Sequence, residues 1–430
     1  MVVIGGGVVG VITAFTLLTA SPRAKVTLLE RNSGVGQECS YQNGAVLAYS
    51  SCDVWPKPSF VWDYVKGVWD GEGKFQHNYR NLLRPGFWVW SWRMLWNCRK
   101  SVWERNSEAL WKLGQASYQL HAAFRTLYEE KLPVQYNYTY PGTLFLYHSN
   151  ADFVVGQERG QKLNQTLAQK FVFFPSSKQC AELEPQIEHL QTSVIGCGRN
   201  TLETIGSHDS YSMTLAYEGI AKNLGLQVLC SADVAGFKMD GKRVKAVVLE
   251  DGREVEADKF IICAGIQSRD LGSKLGWTPP LWAVKGYTMD VSSKQHPLTS
   301  VLHPSGHFGP YLVPNSTGFR YSYFAEFTSE DDTRCDPAKA EKAENLLKSY
   351  TGFKDLEFTR HWACLRPVSC DDLPIIGQFP GLENVFLNVG QGSRGSLLSF
   401  GSAMLCTELV TGSQSPSIDP APFSPSRFYL

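Results

Sequence analysis

Apolar residues recur along this chain with two different periods, and the changes from one to the other divide it. Residues 1–31 read as an apolar run (Met1–Ile4), a glycine turn (Gly5–Gly10), an apolar helical stretch through Leu17 and Leu18, and a second run over Lys25–Glu30, which predicts strand, turn, helix, strand. From about residue 53 to 140 the spacing becomes helical and aromatic-rich, with nine of the twelve tryptophans between Trp55 and Trp111. Strands are expected next at Gly142–Tyr147 and Ser193–Cys197, then a helix over Asp209–Leu224. Gln227–Cys230, Val244–Glu250 and Phe260–Ala264 read as further strands, with Asp240-Gly241 and Asp251-Gly252 as tight turns. Gly286–Ser292, Pro310–Val313 and Phe319–Phe327 predict an antiparallel sheet. Leu373–Ile376 and Val385–Val389 precede a second glycine cluster and a helix ending near Thr411-Gly412.

This pattern predicts an α/β chain, α+β overall. One unit is assembled from residues 1–52, 207–273 and 361–430, and the other, an antiparallel sheet with helices, from 53–206 and 274–360. Length agrees, because 430 residues exceed what a single core usually serves. The 41 basic and 41 acidic side chains cancel, so no net attraction for polyanions arises and no nucleic-acid partner is expected. Eleven cysteines, an odd number at low density, fit a reducing compartment. The closest two, Cys364 and Cys370, stand six apart with no histidine in register, so no metal site is expected. The chain opens on no basic leader with a cleavage site, and no run of about 18 apolar residues follows. A cytoplasmic, non-secreted protein without a membrane span is therefore expected, and the sequons at Asn137, Asn164 and Asn315 read as chance.

Gly5-Gly6-Gly7-Val8-Val9-Gly10 is GxGxxG set between a strand and a helix. Gly5 permits the tight turn, Gly7 removes the Cβ that would block a pyrophosphate, and Gly10 lets helix and strand close up. The first helical amides, at Val8 and Val9, then face the anion. Glu30, twenty residues past Gly10, ends the second strand where a ribose hydroxyl needs an acceptor. With Arg31 the only base beside it, a 2′-phosphate is not provided for, so FAD or NAD is expected rather than NADP. The competing reading is a glycine turn without a ligand. A second strand–turn–helix, Val385–Val389 followed by Gly390-Gln391-Gly392-Ser393-Arg394-Gly395, supplies another helix N-terminus. It suits a flavin's pyrimidine carbonyl, which turns anionic on reduction, whereas NAD has no need of it. An ordinary helix-capping turn is the alternative.

Further stretches occur in order with these motifs: Ser40-Tyr41-Gln42-Asn43-Gly44-Ala45, Gly142-Thr143-Leu144, Ala257-Asp258 through Cys263-Ala264-Gly265, Lys285-Gly286-Tyr287, Tyr311-Leu312-Val313-Pro314, and Leu365-Arg366-Pro367 with Leu373-Pro374-Ile375-Ile376-Gly377. In order and spacing the chain resembles, nearly end to end, the flavin-dependent D-amino acid oxidase superfamily, most closely its D-amino acid dehydrogenase branch. The resemblance implies a Rossmann-like FAD-binding domain, an antiparallel-sheet substrate domain, and an isoalloxazine ring between them. It implies that Ser40, Asn43 and Gly44 run beside the flavin, and that Val234, Ala264 and Gly265 join the FAD site with both glycine clusters, Glu30 and Arg31. It also implies that Arg366 clamps the substrate α-carboxylate and that Tyr311 faces the substrate. A guanidinium's planar fork suits the clamp, because it binds a carboxylate bidentately and stays charged. A surface salt bridge for Arg366 and simple packing for Tyr311 are the bland alternatives.

The sequence departs from the family in two places. Arg320-Tyr321-Ser322-Tyr323-Phe324 stands where a small Gly-Gly pair is usual ahead of Ala325-Glu326, so a narrowed pocket or a displaced strand is expected. Gln391 replaces the usual histidine, which keeps a donor and removes a titratable group. Cys364 falls near the position at which the sarcosine oxidase branch holds its flavin covalently, although a buried free thiol is the expectation.

The implied activity is oxidation of a small zwitterion, a D-amino acid. Hydride passes from Cα to flavin N5, the imino acid is hydrolysed to a 2-oxo acid and ammonia, and the electrons go on to a quinone, another flavoprotein or O2. Rivals are oxidation of secondary amines (sarcosine, glycine, hydroxyproline or a modified tRNA uridine) and, from another class, a non-catalytic flavoprotein or respiratory assembly factor. Trp88, Trp92, Trp96 and Trp103 read as one helical face near Arg93, Arg99 and Lys100. The expectation is an aromatic stripe packed inside the substrate domain, and the alternative is a peripheral membrane contact.

Overall fold

A computed structural model of the chain describes residues 1–49, 53–62, 64–65, 75–136, 138–139, 142–166, 170–191, 193–200, 205–305, 311–329 and 331–429. Cys52 at the first expected boundary, the sequon Asn137 and Pro310 at the start of one expected strand lie outside the described residues.

The first sheet has six strands in the order Ile375–Gln378, Val385–Val389, Phe260–Ile262, Val2–Ile4, Thr27–Leu29, Gln227–Leu229. All neighbours are parallel except the first pair. Central parallel strands are covered on both faces, which is why Val2-Val3-Ile4 and Phe260-Ile261-Ile262 are apolar throughout rather than alternating. One face is covered by the helices Val8–Ala20, Ser210–Asn223 and Gly395–Thr411, whose shared core includes Ile12, Phe15, Tyr217 and Phe400. Asp209 begins the second of these by accepting a bond from Ser212 N at 2.6 Å. The opposite face carries a three-stranded antiparallel meander, Val234–Asp240, Arg243–Leu249 and Glu254–Glu256, turning at the expected Asp-Gly pairs.

The second sheet has nine strands in the order Glu357–Ser369, Leu281–Ser292, Gly318–Phe327, Tyr311–Asn315, Val301–Pro304, Thr143–Tyr147, Gly196–Asn200, Phe171–Phe174, with Phe75–His77 beside the end of Gly318–Phe327. Its pairs are antiparallel except Val301–Pro304 with Thr143–Tyr147 and Phe75–His77 with its neighbour. The helix Pro337–Thr351 packs Ala343 and Leu347 into the core beneath Tyr287, Tyr321 and Tyr323.

Three features differ from the sequence expectations. The strand expected at Ser193–Cys197 forms later, at Gly196–Asn200. The expected boundary at 361 falls inside Glu357–Ser369, which pairs in the second sheet over its whole length, and the long helix Lys100–Tyr128 sends Leu110 and Leu113 into the core of the first unit. Of the tryptophan stripe only Trp103 packs inward, against the core of the first unit. Pro85–Asn97 and Lys100–Tyr128 are separate helices, so Trp103 does not continue the stripe, and Pro85–Asn97 buries Phe87, Trp90 and Met94 while Trp88, Trp92 and Trp96 point outward. That helix is apolar on both sides, so periodicity could not choose its inner face.

Candidate active site

One cavity of about 840 Å³ runs from the first glycine turn to the strand bearing Arg366, a size proper to a small-molecule site. Gly5, Gly7, Val8, Val9, Glu30 and Arg31 line it from the first βαβ unit; Ser40, Asn43 and Gly44 come from the following loop, and Val234, Ala264 and Gly265 from the far side of the first sheet. Gln391, Gly392, Ser393, Arg394 and Gly395 line it from the second cluster, and Arg366 and Tyr311 from the second sheet. Gly10 and Gly390 stand behind the wall. A Cβ on Gly10 would lie 1.9 Å from Gly5 O, so this glycine serves the close passage of helix over strand, whereas Gly390 turns the backbone beneath Leu281.

The residues present fit a dinucleotide. A Cβ on Gly7 would meet nothing but Ser40 Oγ at 3.5 Å, so its absence leaves a cradle open toward the cavity at a helix N-terminus. Ser40 Oγ accepts from Val8 N at 2.9 Å and keeps its own hydrogen to donate. Buried Glu30 is oriented by two main-chain donors, Gly6 N to Oε2 at 2.7 Å and Asn32 N to Oε1 at 2.8 Å, with lone pairs left for a ribose. Arg31 pairs with Glu38 at 2.5 Å on the exposed rim. Toward the second glycine cluster, Ser322 Oγ is buried in the cavity wall with no hydrogen-bond partner among the described residues, and Asn43 Nδ2 donates to Ser396 Oγ at 2.8 Å.

The second cluster is braced from behind. Gln391 Nε2 donates to Asn388 Oδ1 at 2.7 Å, and Asn388 Nδ2 to Thr13 Oγ1 at 3.0 Å, so the amide that stands in place of histidine serves the interior. Arg394 Nη2 donates to Asp372 Oδ2 at 2.9 Å, and Asp372 also accepts from Trp55 N at 2.8 Å. Burial raises the Asp372 carboxyl above its usual range, with Arg394 opposing.

Arg366 lies across Gly286: a Cβ there would stand 2.1 Å from Nη2. Among the described residues no carboxylate forms an ion pair with it. Burial lowers its pKa, yet a guanidinium does not shed its proton, so the wall holds a charge without a counter-ion. Its neighbours are two thiols. Cys39 Sγ donates to Leu365 O at 2.9 Å, and a hydrogen bond between Cys39 and Cys364 pushes the first thiol up and pulls the second down.

The departure from Gly-Gly lies at a β-bulge. Register slips between Gly286 and Tyr287, which leaves Phe324 as the extra residue at φ +46°; the residue lines the cavity, and its ring packs edge-on against Tyr287 and Tyr323. Tyr311 packs edge-on against His303 at 4.5 Å between ring centroids. His303, Thr288, Lys57 and Arg159 also line the cavity, Arg159 paired with Asp53. None of these four belongs to a motif, and His303 sits in a short strand whose pattern gives no sign of its role.

A sequence model of the family described as FAD dependent oxidoreductase (DAO) matches residues 1–409. The D-amino acid dehydrogenase of Paramagnetospirillum magneticum is 27% identical over 418 residues, covering 96% of this chain and 95% of that protein. Its namesake from Neisseria meningitidis is 26% identical over 419 residues, with 96% of each covered. Among solved structures, glycine oxidase from Bacillus cereus superposes with a TM-score of 0.71 at 21% identity over 96% of this chain and 95% of that one. L-proline dehydrogenase from P. horikoshii gives 0.74 at 17% identity over 100% and 97%. These structural likenesses establish the fold.

Proposed function

The chain belongs to the DAO family of FAD dependent oxidoreductases, and from that premise we propose that it is a dehydrogenase that oxidises D-amino acids to 2-oxo acids and ammonia. The single observation that carries the reading is Arg366, a buried cation with no carboxylate partner among the described residues, in the same cavity as the dinucleotide cradle. The two glycine clusters, Glu30 and Ser40 would hold the FAD, which when bound supplies the acceptor for a hydride from the substrate Cα. Arg366 receives the carboxylate through two parallel bonds, which fixes one end of the substrate and leaves Cα a single axis of rotation. Tyr311 and Phe324 contribute to the remaining wall, with His303 and Thr288. No side-chain base is required where the amine enters neutral. A quinone, a second flavoprotein or O2 then takes the electrons.

Anaerobic mixing with D-amino acids, L-amino acids and N-methyl amino acids tests this by bleaching of the flavin absorbance. D-amino acids are expected to bleach it; bleaching by N-methyl amino acids alone moves the reading to a secondary-amine oxidase, and none at all to a non-catalytic flavoprotein. Arg366→Ala is expected to raise KM roughly 10²- to 10³-fold, the loss of about 3–4 kcal/mol from a buried charge pair, with FAD retained. An unchanged KM would remove the clamp.

A further inference from the structure

We propose that the cavity carries a second anion-binding position, at Arg159, which takes the side-chain carboxylate of an acidic D-amino acid whose α-carboxylate lies on Arg366. The inference rests on the reading of the cavity as a D-amino acid site and adds the class of side chain that it accepts. Arg159 projects from the helix Asn150–Thr166 and lines the cavity together with Asp53, Lys57, His303 and Tyr311. Burial lowers its pKa, with Tyr311 opposing, yet 58% of the side chain stays accessible. Both hold when a guanidinium opens onto an enclosed lumen instead of bulk water. A charge in such a place meets an anion through less solvent screening than one on the outer surface.

The neighbours of Arg159 put it on the substrate side. Tyr311 is close enough to act on its charge, and the Tyr311 ring packs against His303 at 4.5 Å between centroids. Tyr311 in turn pairs with Ser322, Ser322 with Thr288, and Thr288 with Trp362, which stands four residues before Arg366 on the same face of its strand. The pyrophosphate cradle lies elsewhere, at Gly7, Val8 and Ser40, so the phosphates of the dinucleotide have their own seat.

Asp53 is the acid that pairs with Arg159. One carboxylate uses at most two of the five donors of a guanidinium, so three are left for a ligand. The charges that line the cavity agree. Glu38 is matched by Arg31, and Arg394 by Asp372. Two guanidinium groups, Arg159 and Arg366, then share Asp53 as the remaining acid on this side among the described residues, even before Lys57 is counted. A D-amino acid with an uncharged side chain occupies one of the two; an acidic one occupies both. Asp53 is then the resident counter-ion that the ligand carboxylate shares or displaces.

Ligands that differ in the second charge test the proposal on the FAD-loaded protein. Glutarate is expected to perturb the flavin spectrum with a Kd at least ~10-fold below that of pentanoate. In turnover, kcat/KM is expected to be at least ~10-fold higher for D-glutamate than for D-glutamine, or for D-aspartate than for D-asparagine. Arg159→Met is expected to erase both preferences, and Asp53→Asn to strengthen them by releasing the guanidinium. Far-UV circular dichroism and flavin content show that each variant has folded, and the wild-type ligand pairs decide the matter if one has not. Equal binding of glutarate and pentanoate by the wild type, or preferences that persist in Arg159→Met, overturn the subsite. Bleaching by D-alanine without a preference for the acidic member of either pair also overturns it and leaves D-amino acid oxidation standing, whereas no bleaching by any D-amino acid removes the reading on which the subsite rests.

Discussion

Gly286 and Arg366 work as one device. Gly286 pairs across the ladder with Cys364, which places it diagonal to Arg366 on the same side of the sheet, and the guanidinium occupies the space a side chain would take. Gly286→Ala is therefore expected to evict the guanidinium and raise KM about as much as Arg366→Ala, in a protein that still folds and still binds FAD; steady-state kinetics with the flavin spectrum check it. Phe324 sets the opposite kind of limit, because a bulged residue at positive φ puts a bulky side chain, packed on Tyr287 and Tyr323, into the strand that lines the cavity. Phe324→Ala is expected to shift the ratio of kcat/KM toward D-amino acids with bulky side chains by roughly 10-fold, since a methylene in a pocket is worth about 1–3 kcal/mol. Arg366 was legible as a motif residue. The reason for Gly286 was not, because alternation along one strand says nothing about which residue lies diagonally on the next.

At the scale of elements, strand, glycine turn and helix were readable from both ends of the chain, and the two halves of that signal separate physically. A Cβ has no room at Gly10, 1.9 Å from Gly5 O, whereas at Gly7 it would make one ordinary contact, with Ser40 Oγ at 3.5 Å. Gly10→Ala is expected to lower Tm markedly, because its Cβ would have to push the helix off the strand. Gly7→Ala has backbone angles any residue accepts and only one ordinary contact, so it is expected to keep its Tm as apoprotein and lose FAD affinity. Thermal melts and flavin content distinguish the pair, and the reverse pattern would refute the division of labour. The meander turns and the capped Ser210–Asn223 helix were equally legible, since each carries its own local chemistry in Asp-Gly or an N-cap aspartate. The orientation of Pro85–Asn97 was not, because a helix apolar all round is turned by its neighbours and not by its own pattern.

Across the whole molecule, contacts between distant segments decide what local pattern cannot. His121, on the Lys100–Tyr128 helix, sits between Tyr49 Oη at 3.0 Å and Tyr136 Oη at 3.1 Å and stacks on Phe400 at 4.6 Å, tying that helix to the first unit. Burial, aided by His208 and Arg125, lowers its pKa to about 3, and burial lowers that of His208 to about 4. Both folded values lie below the 6.5 of an unconstrained histidine, so the unfolded chain binds more protons. Stability is then full above about pH 6.5 and falls as pH drops toward 4, by up to about 1.4 kcal/mol per pH unit for each group. The urea midpoint near pH 5 is expected below that near pH 7.5, with a shallower fall in His121→Gln; a flat profile would exclude both histidines.

The strand Glu357–Ser369 crosses the division expected from sequence, and much depends on that crossing. It carries Arg366 within the second sheet, bridges from Val368 to Gln391, and runs on to Asp372, which holds Arg394. Arg366 and the second glycine cluster are thus two fixtures on a single rail, and their spacing is a property of the main chain. Moving the carboxylate anchor to suit a longer or shorter substrate would drag the cofactor seat with it. Redesign of what this protein oxidises has to begin from the walls that hang elsewhere, at Tyr311, Phe324 and His303, while the rail is left alone.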